Sequence, residues 1–352
     1  MVSLFAGCGG SSLGYKMAGG RMLLAVEQDD NAVATYRLNF PETPLHHGDI
    51  AQLSVDECLR RTGLEPGALD ILEGSPPCQG FSTAGRRRVQ DPRNQLFREY
   101  VRLLRGLRPK AFVMENVSGL VKGKMRWVFA QIMRELRASG YKVRARLMNA
   151  MYYGVPQNRQ RVIFIGVRDD LGVEPSHPRP QTRPITVREA LRGCPVGPVP
   201  RFDDKYARLW PRVPVGGNAS DVIGKGFNSC VKIDPDKPAP TLPKTQTGRG
   251  FATVCHWAEP RALSIPEAKR LASFPDDFRF IGTYQEQWAR IGNAVPPLLM
   301  RAIAEHIRDN VLARCAACLD ETRASSSPDC RAVGGSAGDA REQVDQTYTR
   351  AS

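Results

Sequence analysis

The sequence has no long apolar run and no regular set of cysteines. No run reaches the roughly 18 apolar residues that cross a bilayer, and no basic segment with an apolar stretch and a cleavage site opens the chain, so we expect neither a membrane protein nor an exported one. Nine scattered cysteines, an odd number in 352 residues, argue against a disulfide scaffold and indicate thiols in a reducing compartment. The expected location is the cytoplasm.

Acidic residues are scarce relative to basic ones. The chain has 36 Asp and Glu against 50 Lys and Arg, a formal net charge of +14, which indicates an anionic partner. Hydrophobic residues make up 41%, too many for a disordered polymer. The length suits a large domain with a smaller one.

Metal-ligand spacing is also lacking. Cys315, Cys318 and Cys330 have no fourth ligand at the spacing of a zinc site. We therefore expect no metal.

Short apolar runs alternate with helical patterns in the first half of the chain. This alternation predicts an α/β fold with a doubly wound, mostly parallel sheet. Strands are predicted at residues 2–5, 23–26, 70–72, 111–114, 143–147 and 162–165. A helix is predicted over 125–136, where apolar residues recur at helical spacing before Gly140.

The amino-acid composition changes near residue 169, where prolines become frequent. Residues 169–260 hold 14 of the 27 prolines and few helical patterns, so they predict a smaller domain rich in loops and strands. Residues 1–168 and 261–314 would form the two segments of the large domain, the second opened by a capping box at Ser264 and Glu267. Residues 315–352 have hardly any apolar residues and predict a disordered tail.

A glycine-rich turn at residues 5–14 follows a predicted strand and opens a helix. Glycines there let the backbone approach a cofactor closely. Glu27 ends the next strand, where a carboxylate can accept hydrogen bonds from both ribose hydroxyls. The pattern predicts a site for an adenosine-containing ligand. The alternative is a tight strand-to-helix connection without a ligand.

Two reactive side chains follow two other predicted strands. Cys78 and Glu115 each lie just past a strand, so they should meet at the carboxyl edge of the sheet as a thiolate nucleophile and an acid. The alternatives are a buried structural cysteine and a carboxylate that stabilises a helix N-terminus.

Two basic clusters accompany these residues. Arg159 and Arg161 precede a strand, and at least one guanidinium should reach the crevice to hold a base carbonyl or a phosphate; the alternative is a surface pair. Residues 86–88 are three arginines in a predicted loop, suited to a phosphate backbone or simply to a solvated face.

In this order, these segments resemble those of the DNA (cytosine-5)-methyltransferase family. The resemblance covers about residues 2–314, and residues 169–255 correspond to the part that varies between family members. It rests on the glycine turn, Pro-Pro-Cys-Gln at 76–79, Glu-Asn-Val at 115–117, Gln-x-Arg-x-Arg at 157–161, Arg-x-Leu-Ser-x-x-Glu at 261–267 with Phe-Pro-Asp at 274–276, and Ile-Gly-Asn-Ala-Val-Pro-Pro at 291–297.

The resemblance implies a class I methyltransferase fold and S-adenosylmethionine as methyl donor. The residues implied around this cofactor are Phe5, Gly7, Gly9, Glu27, Gln28, Asp49, Ile50, Leu96 and Asn293. Ser3 stands where the family usually has Asp, and Gln28 where a bulky side chain often stacks on adenine. These departures put the affinity for the cofactor in doubt.

The resemblance also implies a catalytic set of Cys78, Glu115, Arg159 and Arg161. Cys78 would attack carbon 6 of a flipped-out cytosine, Glu115 would hold ring nitrogen 3, and Arg161 would hold the carbonyl at position 2, with Arg159 supporting the site or a phosphate. The residues implied to contact DNA are Pro77, Ser82, Arg86, Arg87, Arg88 and Thr241.

We therefore expect a sequence-specific enzyme on double-stranded DNA in the bacterial nucleoid. It would be a monomer, without a metal, and would belong to a restriction-modification system with a cognate endonuclease. The alternatives are a transfer-RNA cytosine-5 methyltransferase of the same family, a nicotinamide-dependent oxidoreductase, and a catalytically silent DNA-binding regulator.

Overall fold

The computed structural model describes residues 1–77, 92–223, 230–246 and 253–315. A seven-stranded sheet lies at its centre, with strand order β3-β2-β1-β4-β5-β8-β6. Its strands are β1 Val2–Leu4, β2 Leu24–Glu27, β3 Leu45–His47, β4 Ile71–Gly74, β5 Ala111–Val117, β6 Tyr141–Asn149 and β8 Gln160–Arg168. The first five are parallel, and β8 runs antiparallel to both β5 and β6. The predicted α/β fold with a mostly parallel sheet is confirmed.

Helices cover both faces of this sheet. The helices outside the proline-rich stretch are α1 Gly10–Met17, α2 Asp30–Asn39, α3 Val55–Thr62, α4 Pro92–Leu107, α5 Arg126–Arg137, α9 Ile265–Leu271, α10 Tyr284–Asn293 and α11 Pro297–Ile307. The amphipathic α5 buries Val128, Ile132 and Leu136, as its spacing predicts. One core lies under α3, α4 and α5, and a second lies under α1 and α11.

Two strands are longer than their apolar runs. The strand predicted at 70–72 reaches Gly74, and the strand predicted at 111–114 reaches Val117. Glu115 therefore lies within β5 and not beyond its end. The reason is the antiparallel partner β8, whose ladder pairs Glu115 with Ile163 and Val117 with Arg161. Backbone pairing carries the strand past the point where the apolar residues stop.

Helix α11 packs against α1. Gly14 of α1 packs so closely on α11 that a Cβ added there would lie 2.5 Å from the carbonyl oxygen of Pro297. Cys315, at the start of the predicted tail, is buried in the same core. The remainder of that tail, residues 316–352, lies outside the described residues.

The described residues of the proline-rich stretch form only short elements. They are α6 Val187–Ala190, α7 Asp204–Ala207, α8 Ser220–Ile223, β9 Val231–Lys232, β10 Ala239–Pro240 and β11 Val254–Cys255. Part of this stretch has its own apolar cluster around Phe202, Trp210 and Cys230. The rest, including Ile233 and Leu242, packs with α2 and α9 residues. No helix of the described residues is long and apolar enough to cross a membrane.

Candidate active site

The glycine turn between β1 and α1 has a backbone that few side chains tolerate. Gly7 and Gly9 have φ angles of 57° and 95°, in the left-handed region that favours glycine, and Phe5 shares that region at 57°. A Cβ on Gly9 would lie 2.3 Å from the Phe40 ring, whereas one on Gly7 would meet nothing within 4 Å. The turn therefore packs against the Phe40 ring at Gly9 and has open space beside Gly7, as a cofactor-binding turn requires.

The carboxylate of Glu27 stands at this turn. Its Oε2 accepts a hydrogen bond of 2.8 Å from the Gly7 amide, and its Oε1 accepts 2.8 Å bonds from the amides of Gln28 and Asp29. Three backbone donors fix the carboxylate while leaving it partly exposed. Residues 27–31 line an open cavity of about 600 Å³.

The other residues implied to bind the cofactor surround the same strand ends. The Gly48 amide donates to the Glu27 carbonyl, which places Asp49 and the buried Ile50 beside β2. Phe5 and Leu96 both pack against the apolar core that contains Ile50. Asn293 is exposed at the end of α10.

Glu115 and Arg161 form an ion pair at the end of β5 and the start of β8. Arg161 Nε lies 2.7 Å from Glu115 Oε1, with side-chain exposures of 13% and 10%. The adjacent Asn116 donates from Nδ2 to the Pro76 carbonyl at 3.0 Å. This bond ties the chain just before Cys78 to the carboxylate's strand. Pro77 is exposed there, and Cys78, Ser82 and the arginines at 86–88 lie outside the described residues.

Arg159 has a different environment from Arg161. It is 3% exposed, and its Nη1 and Nη2 donate to the carbonyls of Leu242 and Gly292 at 3.3 and 3.0 Å. Burial, with the nearby Arg161 charge, lowers the pKa of its guanidinium to about 9, so it remains a cation at neutral pH. These contacts favour a supporting role over a direct phosphate contact.

A short segment of the proline-rich stretch is fastened beside these arginines. We call residues 239–243 the strap. Strand β10 pairs in parallel with β7 Gln157–Asn158, and the Thr241 hydroxyl donates to the Asn158 carbonyl at 2.8 Å. On the other side, Trp288 Nε1 donates to the Pro243 carbonyl at 2.9 Å. Thr241 itself is exposed. The sequence motifs did not reveal the strap, because it depends on contacts between distant segments.

A buried carboxyl group is a second feature missed from the sequence. Glu73 on β4 is 2% exposed, and Ser3 Oγ donates to its Oε2 at 2.6 Å. Burial raises the pKa of Glu73 to about 7. The available signal was an acidic residue inside an apolar strand. Among the described residues, no cluster of three or more His, Cys, Asp or Glu side chains could hold a metal ion.

Known proteins resemble the chain over most of its length. The family model for C-5 cytosine-specific DNA methylase matches residues 1–196 and 203–309. The Type II methyltransferase M1.HphI of Haemophilus parahaemolyticus is 37% identical, over 87% of this chain and 86% of its own. M.XorII of Xanthomonas oryzae, another Type II methyltransferase, is 33% identical over 87% and 84%.

Solved structures agree with this fold. A prophage-encoded DNA modification methyltransferase from E. coli superposes with a TM-score of 0.70 at 27% identity, over 88% of this chain and 99% of its own. DNMT2 of Spodoptera frugiperda gives 0.60 at 20% identity, over 87% and 98%, which is a likeness of fold alone.

Proposed function

Because the chain belongs to the C-5 cytosine-specific DNA methylase family, we propose that its Glu115–Arg161 pair forms the base-binding end of a cytosine-5 methylation site. The enzyme is a DNA (cytosine-5)-methyltransferase with the family's class I methyltransferase fold. The observation that carries the proposal is the 2.7 Å pairing of a nearly buried carboxylate with a guanidinium, on the strand bonded to the segment that leads into Cys78.

The methyl donor of this family is S-adenosylmethionine, which supplies an electrophilic methyl group when bound. The site suits it: the turn is open beside Gly7, and the Glu27 carboxylate faces a cavity. We assign the ribose to Glu27, the amino-acid end to the turn from Phe5 to Gly9, and the adenine to Gln28, Asp49, Ile50 and Leu96. Asn293 would lie at the cofactor's edge.

The reaction needs carbon 5 of cytosine to become nucleophilic. Attack of the Cys78 thiolate on carbon 6 forms a C–S bond and moves electron density to carbon 5 and ring nitrogen 3. Glu115, once it carries a proton, donates it to that nitrogen, and Arg161 donates to the carbonyl at position 2, so both stabilise the negative charge that develops. After methylation, loss of the carbon 5 proton and of the thiolate restores the aromatic ring.

A cytosine stacked in a duplex cannot reach these groups, so the target base must leave the helix. We assign Pro77, Ser82 and the arginines at 86–88 to the DNA backbone around the flipped base, with Thr241 of the strap. Residues 169–260 would be the target-recognition domain, between the catalytic segments 1–168 and 261–314. One chain carries the whole set, so a monomer suffices.

The relatives named above are Type II methyltransferases. We infer that this enzyme acts on the nucleoid of a bacterium as the protecting partner of a restriction endonuclease.

Base-resolution mapping of 5-methylcytosine tests the proposal. DNA and transfer RNA from cells that express the wild-type protein or the Cys78→Ala variant would be compared. We expect one methylated sequence context in DNA, present only with the wild-type protein. Methylation confined to transfer RNA, or unmodified DNA from cells with folded protein, would contradict it.

A further inference from the structure

Glu73 is a carboxyl group buried in the middle of the sheet, on the strand that leads to Cys78. Strand β4 lies between β1 and β5, and its ladder pairs Glu73 with Ser3 of β1. The Ser3 hydroxyl, itself fully buried, donates to Glu73 Oε2 at 2.6 Å. This hydrogen bond therefore links β4, the strand that leads to Cys78, to β1, the strand that leads to the glycine turn.

A second hydroxyl reaches Glu73 from the other side of that turn. Ser11, in the first turn of α1, is 6% exposed and is close enough for its hydroxyl to lower the pKa of the same carboxyl group. Its neighbour Ser12 accepts a bond of 3.1 Å from the Tyr36 hydroxyl of α2. Ser3 and Ser11 flank the residues from Phe5 to Gly9, so Glu73 holds both ends of the turn.

A buried carboxyl group is costly, since its charged form loses water and its neutral form must find partners. An apolar side chain would pack in a sheet core at lower cost. The methylation steps above do not use Glu73, so neither packing nor chemistry already described accounts for it.

We propose that Glu73 is a positioning residue for the cofactor: it accepts hydrogen bonds from Ser3 and Ser11, and so sets the glycine turn relative to the strand that precedes Cys78. The inference rests on the proposed function, because it assigns the turn to S-adenosylmethionine. The ionised carboxylate accepts both bonds best, so the turn is most firmly set when Glu73 has lost its proton.

The surroundings of Glu73 allow this ionisation to be isolated. The titratable groups that face it are Tyr15 of α1, Tyr36 of α2, Tyr100 of α4 and Glu115 of β5. Burial raises the pKa of all three tyrosines well above neutrality, so they keep their protons. Glu115 is the other carboxyl group among them, so a control variant must test whether the pH step belongs to it.

The test is calorimetric binding of S-adenosylmethionine to the full-length protein from about pH 5.5 to pH 8.5. Wild-type affinity should rise about tenfold as the pH passes through roughly 7, since one pKa unit of coupling is a factor of ten. Glu73→Gln should lack this step and bind about tenfold more weakly at high pH, with kcat at saturating cofactor within about twofold of wild type. Thermal melting would verify that the variant is folded.

Two control variants test whether the pH step in cofactor affinity belongs to Glu73. Asp70→Asn changes an exposed carboxylate at the opposite end of β4, and Glu115→Gln changes the neighbouring one; both should retain the pH step. A step that persists in Glu73→Gln, or wild-type affinity in that variant, would overturn the inference. A wild-type protein that shows the step but leaves cytosine in DNA unmethylated would overturn the proposed function alone. No binding by the wild-type protein would overturn both.

Discussion

At the scale of single residues, the pairing of Glu115 with Arg161 prepares both groups for a base. Each is nearly buried and has the other as its partner at 2.7 Å, so neither charge is left unpaired before the base arrives. A cytosine has an acceptor at position 2 and a ring nitrogen beside it, which match a guanidinium and a carboxyl group side by side.

Replacing Glu115 with Gln should remove most of the turnover. The amide keeps the size of the side chain but has no acidic proton to transfer to ring nitrogen 3, and general-acid contributions of this kind are worth about 10²–10⁴-fold in rate. Methyl incorporation from labelled cofactor would measure kcat, while cofactor affinity should stay within about twofold of wild type. Glu135→Gln, at an exposed pair with Arg105, is the matched control. Equal turnover in the two variants would refute the role of Glu115.

The stability of the fold should depend on the proton of Glu73. Its folded pKa is raised to about 7 by burial, above the usual value for Glu, so the folded state holds this proton more tightly than the unfolded chain. The stabilising contribution is full below about pH 4.3 and is lost as pH rises through about 7, for a total of about 3 kcal/mol. Urea unfolding from about pH 5 to pH 8 should show a decline in wild-type stability that Glu73→Gln lacks. Parallel curves would contradict it.

Several residues of the candidate site could be predicted from the sequence because each stands where an apolar run stops. Glu27 and Glu115 belong to this group, and the structure places Glu27 at the last position of β2 and Glu115 inside β5, two positions before its end. The partners of Arg159 could not be predicted, since Leu242 and Gly292 lie 83 and 133 positions away. Glu73 follows the strand predicted at residues 70–72, and only the ladder with β1 reveals that Ser3 meets it.

At the scale of elements, helix α9 begins where the chain returns from the proline-rich stretch. The predicted capping box is present: Ser264 Oγ accepts from the Glu267 amide, and the Glu267 carboxylate accepts from the Ser264 amide. The same carboxylate pairs with Arg261, whose side chain is 1% exposed. One glutamate therefore caps the helix and neutralises a buried guanidinium.

Removing one partner of this pair should cost far more than removing an exposed one. Arg261→Met removes the guanidinium that pairs with the buried Glu267 and leaves it, among the described residues, only His256 Nε2 at 4.0 Å as a basic partner, so we expect a loss of about 3–5 kcal/mol in the free energy of unfolding. The double variant Arg261→Met with Glu267→Gln should lose less than the sum of the single changes. Arg301→Met breaks a more exposed pair with Glu305 and should cost below about 1 kcal/mol. Similar losses at both arginines would contradict the prediction.

Element ends were harder to predict than element types. The sequence indicates every strand of the seven-stranded sheet except β3, whose three residues Leu45–His47 contain two histidines and no apolar alternation. The strand ends at Glu115 and Val117 depend on pairing with β8, a contact between residues that lie more than forty positions apart. A local sequence pattern contains no information about a pairing strand that lies so far along the chain.

At the scale of the whole molecule, the charge of +14 suits a DNA backbone. Replacing the arginines at 86–88 with Gln should weaken binding to all DNA duplexes alike. The slope of the logarithm of the binding constant against the logarithm of the salt concentration should become shallower by about 0.9 for each phosphate that these side chains no longer neutralise. Fluorescence anisotropy at several salt concentrations would measure both. The control variant neutralises Arg60, Arg105 and Arg301, which already pair with glutamates. A weakening restricted to one target sequence would show that these arginines read bases.

The close packing of Gly14 on Pro297 and Met300 has a consequence for synthesis. The first helix cannot bury its inner face until α11 has left the ribosome, nearly three hundred residues later. Contacts so far apart in sequence slow folding and keep apolar surface exposed meanwhile. Until α11 has been synthesised, the inner face of α1 remains exposed, so the glycine turn that opens α1 lacks the packing that holds it in the folded protein.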